Sequence, residues 1–179
     1  FRPLLPRRID RYFEPFIGGG ALFFDLRPAR ARLWDANAEL INCYAVVRDQ
    51  VEDLVDALRA HRYEKEYYYA LRATDPKSLS PVQAAARTIC LNRTGFNGLY
   101  RVNRSGNFNV PFGRYTNPTI CDAPNLRLCS TVLQGADIQA RDFRELAQWA
   151  TPGDFVYFDP PYVPRSATAA FTDYTPGGF

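Results

Sequence analysis

Four large apolar residues in succession, Phe155-Val156-Tyr157-Phe158, stand between Gly153-Asp154 and Asp159-Pro160-Pro161-Tyr162. This stretch limits what the chain can fold into more than any other. An apolar run without alternation, bounded by turn signals, reads as a buried strand of a parallel sheet. The two prolines can continue neither a ladder nor a helix, so the chain must leave at the strand's carboxyl end. In open α/β sheets that edge is where ligands bind. It would present a carboxylate, a rigid backbone carbonyl and an aromatic face, groups suited to a flat exocyclic amine. The competing reading is a proline turn whose Tyr162 simply packs. Against it, a carboxylate directly behind four apolar residues needs partners, because a buried unpaired charge is costly. No basic residue adjoins Asp159.

The rest of the chain supplies the elements such a strand needs. Arg11 to Phe16 reads as a first strand running into a glycine turn, and Ala21 to Leu26 as the opening of a helix. Ala31 to Asp35 is a short second strand. Ile41, Tyr44, Val47, Val51, Leu54, Val55 and Leu58 then recur at helical steps, with a break near Asp49. Glu64 to Ala73 reads as a further helix. Ser80-Pro81 with Gln83 combines a capping side chain, a first-turn proline and a reciprocal amide, and starts a helix reaching about Leu91. Asn103 to Asn107 has turn chemistry between Leu99-Tyr100-Arg101-Val102 and Phe108-Asn109-Val110, which predicts a β-hairpin. Val132-Leu133-Gln134 reads as the third sheet strand and Phe155 to Phe158 as the fourth. The pattern fits an α/β doubly wound, Rossmann-like sheet interrupted by a helical and hairpin insert. The expected division is 1–59 and 129–179 for the sheet domain, with 60–128 as the insert.

At 179 residues, 46% of them apolar, the chain can bury a core as one domain, or as one with an insert. The expectation is a monomer. Cys43, Cys90, Cys121 and Cys129 form no Cys-x-x-Cys pair and there is a single histidine, which argues against a disulfide framework or a zinc site. No apolar run approaches the roughly 18 residues of a membrane span, so a soluble, cytoplasmic chain is expected. The net charge of +3 says little, but its distribution says more. Between Pro76 and Cys121 lie six basic residues (Lys77, Arg87, Arg93, Arg101, Arg104, Arg114) and no acidic one, whereas the remainder holds 16 basic and 19 acidic residues. An acid-free stretch with aromatics between arginines is the footprint of a phosphate-binding surface, although a merely solvated basic face has the same composition.

Glu14 to Gly20 lies between a strand and a helix. Its glycines permit close backbone approach to a ligand, or serve only as a tight turn. No lysine follows, so it is not the phosphate-binding G-x-x-x-x-G-K-[ST] loop, and it lacks the dinucleotide spacing. Asp35, at the end of the second strand, can accept both hydroxyls of a ribose or can cap the next helix. Phe143 is either core or the wall of a pocket.

Three segments together resemble the D12-class, Dam-type DNA adenine-N6 methyltransferases. Asp159-Pro160-Pro161-Tyr162 resembles the catalytic motif of that family, in which Asp at the first position goes with adenine. Phe13-Glu14-Pro15-Phe16-Ile17-Gly18-Gly19-Gly20 resembles its cofactor loop. Asn92-Arg93-Thr94-Gly95-Phe96-Asn97-Gly98-Leu99-Tyr100-Arg101 and Gly106 to Tyr115 resemble its DNA-recognition insert. The resemblance implies S-adenosylmethionine as cofactor, double-stranded DNA as partner, no metal, and methylation of a flipped adenine, with GATC as the expected site. It implies cofactor contacts from Glu14, Pro15, Phe16, Gly18, Gly20, Asp35, Asp142, Phe143 and Asp159. It places Asn97, Leu99, Arg101 and Pro111 near base edges and Arg93, Asn103 and Arg114 on the backbone, with Phe96 and Arg104 also on the DNA. Phe96 stands where relatives often have tyrosine. Phe96 and Phe108 read equally well as a small hairpin core.

The family also carries a Trp/Gly/Lys segment ahead of the first strand and further strands after the catalytic turn. A chain opening at Phe1 and stopping at Phe179 is therefore expected to lack both ends of the family domain. The rival readings are a methyltransferase acting on RNA or a protein amide, and a DNA-binding fragment without catalysis.

Overall fold

A computed structural model describes residues 3, 5–103 and 105–160. Four parallel strands form one sheet: β1 (Tyr12–Glu14), β2 (Ala31–Asp35), β3 (Ala136–Ala140) and β4 (Phe155–Val156), in the order β3-β2-β1-β4. Tyr12 pairs with Ala31 on one side and Phe155 on the other, and Leu33 with Ile138. The short helix α1 (Ala21–Leu26) joins β1 to β2. Between β2 and β3 run α2 (Ala38–Asp49), α3 (Val51–Arg59), α4 (Lys65–Ala73), α5 (Pro81–Thr94) and α6 (Ala123–Leu133). Alternation along the strands splits the core. Tyr12 and Leu33 face Phe23, Ile41, Val47, Leu54, Leu58, Ala85 and Leu133 of the helices. Phe13 and Trp34 face Leu146 and Trp149 of the β3–β4 connection and Val156 of β4. The direction of winding thus reverses at β1, and the crevice between the carboxyl ends of β1 and β4 is the topological switch point.

Local signals explain most boundaries. Ser80 and Gln83 form the anticipated capping box, with Gln83 N donating to Ser80 Oγ at 3.3 Å and Ser80 N to Gln83 Oε1 at 3.1 Å. The helical break falls at Gln50, one residue past Asp49. In the insert, Tyr68, Leu91, Phe108 and Val110 make a small core of their own, and the Tyr68 hydroxyl donates to Val110 O at 2.9 Å. The hairpin exists as two antiparallel bridges, Val102–Phe108 and Gly95–Phe112. Its turn closes through Gly106 N donating to Asn103 O at 2.8 Å and Asn103 Oδ1 accepting from Ser105 N and Asn107 N.

Two expectations require correction. Val132-Leu133-Gln134 is not a strand: Val132 and Leu133 end α6, and the third strand starts at Ala136. Asp122 caps α6 by accepting from Asn125 N, and Ala123, Ser130 and Leu133 share its buried face, so a capped helical period outweighs two β-favouring side chains. The fourth strand is also shorter than the apolar run. Only Phe155 and Val156 pair fully with β1; Tyr157 N still donates to Phe13 O at 2.9 Å, and Phe158 is 51% exposed. Among the described residues no helix is long and apolar enough to cross a membrane.

Candidate functional site

The carboxyl edge of the sheet gathers most residues singled out from the sequence. β1 ends at Glu14 and turns through Pro15 to Gly20 into α1. Ile17 N donates to Trp34 O at 2.9 Å, which folds this loop over the end of β2. Tyr44, on α2, donates its hydroxyl to Gly18 O at 2.9 Å. Gly20 has φ +64°, and a Cβ there would lie 2.8 Å from the Tyr44 hydroxyl. Only glycine meets both demands, a left-handed backbone and this close approach.

Asp35 sits at the end of β2, and burial raises its pKa. Its Oδ2 accepts from Gly18 N at 3.3 Å and its Oδ1 from Asn37 N at 2.9 Å. It does not cap α2. Asn37 does, with Oδ1 accepting from Glu39 N and Leu40 N. Glu14 is only 2% exposed and accepts from the Tyr12 hydroxyl at 2.7 Å. Burial, with the Asp159 carboxylate adding to it, pushes Glu14 up to about 7 despite hydrogen bonds from Tyr12 and the Phe23 backbone.

Beyond β3, Asp142 caps a 3₁₀ turn and is held in that turn by Arg144, whose N and Nε donate to Oδ1 at 2.8 Å. Hydrogen bonds from Arg144 bring its carboxyl down to about 2. Phe143 approaches Phe16 with ring centroids 5.1 Å apart, and Phe16 also lies 6.2 Å from Phe158. Glu14, Phe16, Asp35, Phe143 and the Phe158-Asp159-Pro160 turn therefore share one crevice edge. Asp159 is exposed, contrary to the expectation of a buried carboxylate, because Phe158 already stands clear of the core. Pro161 and Tyr162 lie outside the described residues. Among the described residues, no group of His, Cys, Asp and Glu could hold a metal ion.

The insert presents a second surface. Phe96, at 49% exposure, lines a recess of about 390 Å³ with Asn97, Phe112, Arg114 and Tyr115. Phe108 is buried in the hairpin core, so the two phenylalanines separate into one outward-facing ring and one packed ring. Arg93, Leu99, Asn103, Pro111 and Arg114 are exposed; Arg101 is half-buried, its Nε donating to Asn109 Oδ1 at 2.7 Å. Arg104 lies outside the described residues. Arg87, counted with the basic surface, is not on it. It is 3% exposed and donates to Leu71 O and Arg72 O, which end α4. Sequence reasoning missed Tyr44, Asn37 and Tyr115. Tyr44 carried only a helical-period signal, and Asn37 the capping preference of its residue type.

Comparison with known proteins shows the family. The family model of D12 class N6 adenine-specific DNA methyltransferases matches residues 1–179. The chain belongs to that family. A type II methyltransferase of Lactococcus lactis subsp. cremoris, M1.LlaDCHI, is 48% identical over 98% of this chain and 65% of its own length. The type II methyltransferase M.MjaIII of Methanocaldococcus jannaschii is 41% identical over 93% of the chain and 63% of its own length. The DNA adenine methylase of Escherichia coli K12 is 37% identical over 93% of the chain and 61% of its own length. The chain thus spans less than two thirds of the length of each of these relatives.

Proposed function

We propose that this chain carries the cofactor and substrate machinery of a site-specific DNA adenine-N6 methyltransferase that uses S-adenosylmethionine and acts on GATC in duplex DNA. The observation that carries the reading is the meeting of the Glu14–Gly20 loop, Asp35, Phe143 and Asp159-Pro160 along one crevice edge at the switch point. The donor set fits the cofactor. Asp35 offers a carboxylate to a ribose diol, and Phe16 and Phe143 offer ring faces to a purine. When bound, S-adenosylmethionine supplies an electrophilic methyl group.

The chain's own residues act on the base. The exocyclic nitrogen of adenine is a poor nucleophile because its lone pair is delocalised into the ring. Asp159 and the Pro160 carbonyl accept its two hydrogens, which draws the nitrogen toward tetrahedral geometry and frees the lone pair. Catalysis then rests on orientation and pre-placed acceptors. Tyr162 is the stacking partner that the family resemblance implies. A paired base cannot reach this edge, so the adenine must be flipped, and the insert holds the opened duplex. Leu99, Arg101 and Pro111 read base edges, while Arg93 and Arg114 grip phosphates.

The test is methyl incorporation from labelled S-adenosylmethionine into an unmethylated GATC duplex, with a scrambled duplex and a structured RNA alongside. Label confined to the GATC duplex is the expected result. Equal labelling of both duplexes removes the site assignment, and labelling of RNA alone removes the substrate. In Asp159→Ala, methyl transfer should vanish while duplex binding persists; retained turnover would sink the assigned role.

A further inference from the structure

Arg114 stands exposed at the recess that the insert presents, and among the described residues its guanidinium has neither an ion pair nor a hydrogen bond. Its direction is therefore set by the backbone alone. One side chain holds that backbone. The Tyr63 hydroxyl, from the segment between α3 and α4, donates to Gly113 O at 2.9 Å and accepts from Tyr115 N at 2.7 Å. These two groups belong to the peptide planes on either side of the Arg114 Cα. Each plane is rigid, so holding both fixes φ and ψ of Arg114, and with them the bond to its Cβ. The Tyr63 ring is seated independently of its hydroxyl, stacked on Phe112 with centroids 4.9 Å apart and planes at 27°. The neighbouring residues have other anchors. Gly113 N donates to Thr94 O at 2.8 Å, and the Tyr115 hydroxyl donates to Gly95 O at 2.8 Å while accepting from Gly98 N at 3.0 Å. Packing leaves this limb little slack at Gly113, where a Cβ would lie 2.9 Å from both Thr94 O and Gly95 O.

We infer that Tyr63 is a positioning residue that aims Arg114 at the duplex backbone. The inference rests on the phosphate role given to Arg114 in the function proposed above, and adds the group that sets its aim. An arginine on an unrestrained loop samples many directions, and ordering it against a phosphate costs free energy. With φ and ψ held beforehand, much of that ordering is already done and the contact forms at lower cost. The hydroxyl that does this belongs to neither limb of the hairpin. Its loss frees the two peptide planes beside Arg114 and nothing else. Tyr115 is 38% exposed, so its released N–H meets water, and the anchors to Thr94, Gly95 and Gly98 stay in place. The fold of the insert should then hold while the aim of Arg114 is lost.

The experiment follows duplex affinity of the 179-residue chain by fluorescence anisotropy over a series of salt concentrations, for the GATC and the scrambled duplex. One phosphate contact contributes about 0.9 to the slope of log affinity against log salt. Arg114→Ala should weaken both duplexes on the order of tenfold and lower that slope by about 1. Tyr63→Phe keeps the ring on Phe112 and every charge in the protein, so removal of charge cannot account for a change in its slope. It should nevertheless lower the slope by about half of that decrement or more and weaken both duplexes alike, while Tm moves by no more than about 4 °C. In the double variant, Tyr63→Phe should add less than about twofold to the loss from Arg114→Ala. A slope unchanged in Tyr63→Phe overturns the inference, as does a loss of affinity that persists in full in the Arg114→Ala background. Either result would make the hydroxyl structural. An Arg114→Ala variant that binds as the unaltered chain does also overturns it, while methyl transfer confined to the GATC duplex would leave the proposed function standing. An unaltered chain that binds neither duplex removes the function itself, and the inference with it.

Discussion

Glu14 makes a quantitative pH test possible. Its carboxyl is held at the end of β1 by the Tyr12 hydroxyl, with Asp159 of the β4 turn and Tyr44 of α2 as its other titratable neighbours. Burial and the Asp159 charge raise it from 4.5 to about 7. Between those values the folded protein keeps a proton that the unfolded chain has released. Stability from this group is therefore complete below the unfolded value and is lost as pH rises through the folded one. At roughly 1.4 kcal/mol for each unit of pKa, the shift corresponds to about 3 kcal/mol at most, and nearer about 2 once solvent screening at the open edge is allowed for.

Glu14→Gln isolates the effect, because glutamine still accepts from Tyr12 but does not titrate. Urea unfolding at about pH 5 and about pH 8 should show the unaltered chain losing about 2 kcal/mol relative to the variant across that interval. Other titrating groups cancel in the comparison. Parallel behaviour of the two proteins, or a relative gain at the higher pH, would refute the reasoning.

Three further outcomes follow from the geometry. Gly20→Ala forces a left-handed alanine and places its Cβ against the Tyr44 hydroxyl, so it should cost about 1–3 kcal/mol in chemical denaturation; an unchanged midpoint would contradict the close approach. Tyr68→Phe removes a buried donor to Val110 O, but that carbonyl still accepts from Arg72 at 3.0 Å, so the loss should stop at about 1 kcal/mol. Arg101→Ala should cost about 1–3 kcal/mol of site discrimination, read as the ratio of affinities for GATC and scrambled duplexes. A uniform loss across both sequences would reassign this arginine to the phosphates.

The pattern of what could be read in advance has physical causes. Helices α2, α3 and α5 were legible because many apolar residues repeat at one period, and Ser80-Pro81 marked a start that no strand would use. β3 was not legible because it is an edge strand among the described residues, with the short side chains Ala136 and Ala140 on either side of Ile138. Such a strand carries little of the apolar signal that marks a central one. The same limit applies at the site. Glu14, Asp35 and Asp159 stand out because each ends or follows a strand, whereas Tyr44 acts through Gly18, far away in sequence. Arg87 shows the converse: composition counted it as surface charge, yet it serves the carbonyl end of a helix inside the fold.

The sheet order also explains why one carboxyl of the three should be singled out to keep its proton. Val156 pairs with Phe13, and Glu14 pairs with Leu33, so Asp159 and Asp35 both lie two residues beyond the level of Glu14, on the strands either side of β1. Adjacent parallel strands run about 4.8 Å apart. Three carboxylates ending three neighbouring strands repel, and the cost is least if the most buried one stays neutral. Asp35 has two backbone N–H donors to stabilise its charge, and Asp159 is exposed to water. Glu14 has the deepest position and a phenolic partner. A neutral Glu14 leaves Asp35 free for the ribose and Asp159 free for the amine, the assignment the proposed chemistry needs.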